Sequence, residues 1–165
     1  MALDLVVEAG DWDGPALRQL AQRACDAVAD HLRLPDDCEV VVMACDDARI
    51  ALLNAEFRGK PVATNVLSWP AQDLAPVEDG GPPAAPRADF PSEGPSLGDI
   101  ALARETCAAE AKAADRPLEA HLTHLVIHGM LHLLGYDHER DGDASLMEET
   151  EIKILDALGV SNPYA

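Results

Sequence analysis

The segment "HGMLHLLGYDH" runs from His128 to His138 and sets three histidines four and then six positions apart around Gly135. Three neutral imidazoles leave a fourth position for water or substrate, the arrangement of catalytic rather than structural zinc. A metal held that way acidifies bound water to near neutrality and polarises a substrate oxygen, so the chemistry it suits is hydrolysis. Spacing decides which histidines can share an ion. His121, His124, His128 and His132 fall on one helical stripe, since steps of three and four return to the same face. His124 and His132 are separated by about 12 Å along such a helix, too far to ligate one ion, whereas His128 and His132 are neighbours. His138 would lie about 9 Å beyond His132 on an unbroken helix. A glycine just past a helix end takes the left-handed conformation that turns the chain back, and Gly135 is placed to bring His138 to the open side of the pair.

We therefore expect a metal at His128, His132 and His138, with zinc favoured for three histidines. His121 and His124 read as satisfied polar residues on the helix, with support of the ligands or substrate contact as the rival reading. Asp137 and Glu139 flank the last ligand, and either could orient a histidine or act as a base; a solvated turn carboxylate is the plainer reading. Met147 reads as an ordinary core methionine rather than a floor beneath the metal. The spacing H-x-x-x-H-x-x-G-x-x-H is shared with the metzincin proteases, which carry a glutamate general base directly after the first histidine. Here that position is Gly129, which has no group to offer.

The elements that must position these residues are legible in outline. Residues 3–8 read as a strand, and 14–34 as a helix with Leu17, Leu20, Ala24, Ala27 and Val28 at helical spacing. "CEVVVMAC" has the continuous apolar character of a buried strand, and "DDARIALLNAEFR" opens on aspartates able to cap a helix that ends near Arg58 and Gly59. "TNVLSWP" is a short strand, 71–96 a long, mobile Pro-rich surface loop, and "LGDIALA" a further strand. Helices follow over 104–115, 118–134 and roughly 143–158. This succession predicts an α/β or α+β domain over 1–165, with a small mixed four-stranded sheet against about five helices and a zincin-like metal site.

Aromatics make up only 4% of the chain, so its core must be built from Leu, Val, Ile and Ala. Thirty acidic residues against twelve basic give a net charge of −18, which repels nucleic acid at long range and makes any RNA contact depend on a local basic patch. Arg58, with Arg49 and Lys60 beside it, is the candidate strip. A guanidinium takes two phosphate oxygens at once and stabilises charge building at phosphorus, although a cation at a helix C-terminus also has a purely structural use. Four scattered cysteines without a C-x-x-C pair, no secretion signal and no long apolar run read as a cytoplasmic protein with free thiols.

The signature "HGMLHLLGYDH" resembles that of the YbeY endoribonucleases, and so do "NAEFRGKPVATNVLSWP", "LGDIALA", "EAHLTHLVIHG" and "MEETEIKILDALGVSNPY". The likeness runs from about residue 39 to the end, with Trp69 standing where phenylalanine is usual and a loop at 71–96 longer than typical. It implies a metal-dependent, single-strand-specific endoribonuclease acting in 16S rRNA 3′-end maturation and late-stage 70S ribosome quality control. It also implies a zinc-like ion on His128, His132 and His138 and a functional arginine at Arg58. The implied partners are single-stranded RNA, 16S rRNA and the small ribosomal subunit with its assembly factors, with no DNA and no membrane. Two rivals stand beside it: a metallopeptidase drawing its base from Asp137 or Glu139, and a non-enzymatic ribosome-assembly factor whose metal is structural.

Overall fold

The structure, a computed structural model, describes residues 1–90 and 92–165. In chain order it contains β1 (Ala2–Val7), α1 (Gly14–Leu32), β2 (Glu39–Cys45), α2 (Asp47–Arg58), β3 (Val66–Pro70), β4 (Ser96–Ala103), α3 (Arg104–Ala113), α4 (Leu118–Leu133) and α5 (Asp141–Ala157). The sheet order is β1-β2-β4-β3; β1, β2 and β4 are parallel and β3 joins the edge antiparallel to β4. The mixed four-stranded sheet and five helices expected from the sequence are thus present, with boundaries shifted by a few residues.

Local chemistry explains most boundaries. The Asp13 side chain accepts from the Ala16 N–H and Asp46 from the Arg49 N–H at 2.8 Å, each satisfying a helix-start donor that has no partner within the helix. Helix α1 stops at Leu32 rather than residue 34 because Arg33 takes a left-handed φ of 55° ahead of Pro35. Helix α5 starts at Asp141, two residues earlier than the sequence suggested, with Asp141 and Asp143 in the first turn where the helix dipole favours negative charge.

Alternation along β4 divides the core. Ile100 and Leu102 face the larger cluster with α1, α4 and α5, while Ala101 and Ala103 face α2 together with Cys45, Ile50, Leu53 and Leu67. Helix α4 is the centre of the larger cluster: Leu122, Leu125, Val126, Ile127, Met130, Leu131 and Leu133 are all buried. Met147 is a core residue of the same cluster, as expected. Burial of each such aliphatic chain stabilises by roughly 1.5–3 kcal/mol, so α4 carries the histidines on a rigid support.

Residues 71–95 contain no helix or strand among the described residues, but the segment is tethered. Leu74 is buried and its carbonyl accepts from the Ala84 N–H. Asp79 accepts from the Asp143 N–H, the Asp143 carboxylate accepts from Gly80, and Arg140 donates to the carbonyls of Pro76 and Val77. The expected free loop is therefore pinned to the start of α5. All four cysteines are unpaired and buried, and burial pushes the thiols of Cys25 and Cys107 up to about 12 and that of Cys45 to about 11. Among the described residues no helix is long and apolar enough to cross a membrane.

Candidate metal centre

Helix α4 ends at Leu133, and the chain reverses through Gly135, whose φ is +95°. A Cβ there would stand 2.6 Å from the Leu74 carbonyl carbon and oxygen, so glycine is required by conformation and by the close approach of the long loop. The Tyr136 N–H closes the reversal on the Leu131 carbonyl at 2.9 Å. The turn brings the ring of His138 to 4.9 Å from that of His132 and 5.4 Å from that of His128, whose own centroids are 4.6 Å apart. One nitrogen from each of the three rings falls within 4.8 Å of the others. The structure thus assembles the trio that spacing and Gly135 suggested.

The hydrogen bonds decide which nitrogens are available. His132 Nδ1 lies 3.0 Å from the Tyr136 carbonyl and His128 Nδ1 2.6 Å from Glu151 Oε1. A carbonyl and a carboxylate only accept, so both Nδ1 atoms carry hydrogen in the neutral rings and both Nε2 atoms keep a bare lone pair. Those two Nε2 atoms face each other at 3.1 Å. Burial, then the neighbouring His128 and His138, push His132 down to about 4, so near pH 7 it does not take up a proton to relieve the opposition. Two opposed lone pairs with a third imidazole alongside form a donor set that suits a cation such as Zn²⁺, whose tetrahedral sites set nitrogens about 3.3 Å apart.

Glu151 was not singled out in the sequence. It is fully buried on α5 and accepts from His128, from His124 Nε2 at 2.9 Å and from the Tyr164 hydroxyl. Burial alone raises its carboxyl, but the hydrogen bonds from His124, His128 and Tyr164 together bring it down to about 2. The signal that could have found it is the apolar stripe of α5: Met147, Ile154 and Leu155 are buried, and Glu151 lies among them at helical spacing. His124 therefore shares the carboxylate that faces His128, and His121 turns elsewhere, to Glu110 at 3.0 Å. Asp137 and Glu139 line the cleft, yet Asp137 accepts from the His138 backbone N–H, and the carboxylate bonded to a ring of the trio is Glu151, against His128.

The cleft measures about 660 Å³ and is lined by His128, His132 and His138 together with Arg58 and residues of β3. Arg58 is the last residue of α2, before the left-handed Gly59, and its Nη2 donates to the Ser68 carbonyl on β3 at 3.0 Å. Asn54, buried beneath, fixes the following turn by donating to the Val62 carbonyl. The basic strip expected around Arg58 does not form. Arg49 is in the first turn of α2, nine residues or about 13 Å along the axis from Arg58, where it pairs with Glu8; neither Arg49 nor Lys60 lines the cleft. Gly129, in the position of the protease glutamate, packs against Ile100, and a Cβ there would stand 3.1 Å from its Cγ2.

Comparison with known proteins agrees over nearly the whole chain. The family described as Endoribonuclease YbeY matches residues 7–159. An Endoribonuclease YbeY of a Ruegeria species is 55% identical over 99% of this chain and 96% of its own length. One from Ruegeria pomeroyi is 54% identical over 99% and 98%, and one from Jannaschia is 52% identical over 99% and 100%. A Thermotoga maritima protein solved in solution shares the fold, with a TM-score of 0.55 at 22% identity, covering 94% of this chain and 91% of its own. The three-histidine turn, the cleft it shares with an arginine, and relatives matching end to end converge on one assignment: this chain is a member of the YbeY endoribonuclease family.

Proposed function

We propose that the chain acts as one metal-dependent hydrolase domain over residues 1–165, a single-strand-specific endoribonuclease of 16S rRNA 3′-end maturation and 70S ribosome quality control. Zinc is held by His128, His132 and His138, and Arg58 acts on the scissile phosphate. The observation that carries this reading is the 3.1 Å approach of the His128 and His132 Nε2 atoms, with both Nδ1 atoms turned to acceptors, in a cleft that Arg58 also lines. Zinc bound there supplies a Lewis acid and a more acidic water. Arg58 spends one N–H on Ser68, which fixes its position, and keeps others for phosphate oxygens, so it both orients the backbone and meets charge developing at phosphorus.

The edge of β3 argues against a peptide in the same cleft. Asn65 and Ala71 bond toward β4, so the polar groups of Val66, Ser68 and Pro70 point to the open edge. There the Val66 N–H is taken by Asn65 Oδ1, the Ser68 carbonyl by Arg58, and Pro70 has no N–H. An extended peptide therefore finds no unbroken ladder for strand addition, and Gly129 supplies no base. The net charge of −18 opposes free RNA, so the reading assigns delivery to a basic protein surface of the small ribosomal subunit or its assembly factors, in the cytoplasm.

The test is cleavage of a single-stranded RNA by zinc-loaded protein beside His132→Ala and Arg58→Ala. The wild type cleaves and both variants lose activity; equal cleavage by all three would assign the activity to a contaminant and remove the proposal's support. Products ending in a 2′,3′-cyclic phosphate identify the ribose 2′-OH as nucleophile, and a simple phosphate identifies water.

A further inference from the structure

We propose that Glu151 is a positioning residue of the metal centre, fixing which nitrogen of His128 faces the cleft, and that His124 and the C-terminal Tyr164 clamp its carboxylate for that task. This rests on the reading of the three histidines as metal ligands. Glu151 has no solvent exposure and sits between the apolar residues Met147, Ile154 and Leu155 of α5. Replacing a buried ion with a well-packed apolar side chain is commonly neutral or stabilising, so packing alone gives no reason for a carboxylate here. Its hydrogen bonds give one. Oε1 faces His128 Nδ1 at 2.6 Å, and Oε2 accepts from both His124 Nε2 and the Tyr164 hydroxyl.

With Oε2 occupied twice, the carboxylate cannot rotate away from His128 without losing two partners. His128 is thereby held with hydrogen on Nδ1 and a lone pair on Nε2, directed at His132. The two ligands on α4 are thus set by different devices: His132 by the Tyr136 carbonyl of its own turn, His128 by a side chain from another helix that is clamped by the tail. Tyr164 lies 40 residues beyond His124 in sequence, yet its hydroxyl is 3.4 Å from His124 Nε2, so the tail is part of the support of the site rather than a loose end.

The experiment uses the full chain as wild type, Glu151→Gln, Tyr164→Phe and His132→Ala. Zinc affinity is measured by competition with a chromophoric chelator, and the His128 ring is read by long-range ¹H–¹⁵N NMR on metal-free protein. Glu151→Gln, which keeps the shape and loses one acceptor oxygen, is expected to weaken zinc binding ten- to a hundredfold and to mix the His128 tautomers. Tyr164→Phe, on the half-exposed tail, should fold normally and weaken zinc in the same direction by less. Wild-type affinity in Tyr164→Phe, or an unchanged Nδ1–H ring and wild-type affinity in folded Glu151→Gln, overturns the proposal; if Glu151→Gln does not fold, Tyr164→Phe decides alone. Failure of the metal reading looks different: wild type and His132→Ala would then bind zinc equally.

Discussion

In the proposed function Arg58 and the histidines divide the chemistry of the cleft, and each can be removed without the other. Because the Arg58 side chain, among the described residues, is hydrogen-bonded to the Ser68 carbonyl and not to the three histidines, Arg58→Lys should leave zinc affinity unchanged. It should lower kcat on single-stranded RNA about a hundredfold, since an ammonium lacks the fork that takes two phosphate oxygens; equal metal occupancy by chelator titration is the control. At this scale the three histidines were legible because their spacing and a glycine are local facts. Glu151 was not, because "MEETEIK" presents three glutamates of like appearance within a few residues, and only their register with the apolar stripe of α5 separates the one that faces inward. Arg49 misled for a related reason: nearness to Arg58 in sequence became distance along α2 and a pairing with Glu8.

The turn after α4 and the long segment before β4 form one device at the scale of elements, because Gly135 admits the Leu74 backbone. Gly135→Ala meets both a φ of +95° and a 2.6 Å contact with that carbonyl, so it should destabilise by about 1–3 kcal/mol in denaturant melts and weaken zinc by displacing His138. The far end of the segment is held by Asp143. The Gly80 N–H and then Arg140 keep its carboxyl below the usual aspartate range. A depressed folded value means the tether is fully present above the ordinary aspartate pKa, about 4, and is lost as pH falls through the folded value. Amide exchange at Gly80 should therefore stay slow at neutral pH and lose protection, after correction for intrinsic rates, in strong acid. In Asp143→Ala that protection should be missing at pH 7 as well. The sequence indicated a loop here from its proline and glycine content, but its tether is a set of bonds from the side chains of Asp79, Asp143 and Arg140 to backbone groups 63 or 64 residues away, which periodicity does not encode.

For the whole molecule, the division of labour between core and site sets the response to metal removal. The core of α1, α4, β2 and β4 is built from aliphatic side chains, as the low aromatic content implied, and the three histidines line the cleft rather than that core. Chelator-stripped protein should keep its far-UV circular dichroism and a cooperative thermal transition, unlike a domain whose folding energy comes from a structural zinc. Collapse on stripping would favour the assembly-factor rival. The alternation of strands and helices made the sheet and its helices legible. The side of the cleft on which Arg58 stands was not, since it depends on α2 packing on the opposite sheet face and reaching round the β3 edge.

If the three-histidine centre drives RNA cleavage, activity must follow metal occupancy. Stripped protein is titrated with zinc while bound metal and cleavage of a single-stranded RNA are read in the same samples. Cleavage should rise in step with occupancy and saturate at one zinc per chain, with His132→Ala flat throughout. Cleavage that is already full in stripped protein, or that rises equally in His132→Ala, would place the activity outside the three-histidine centre.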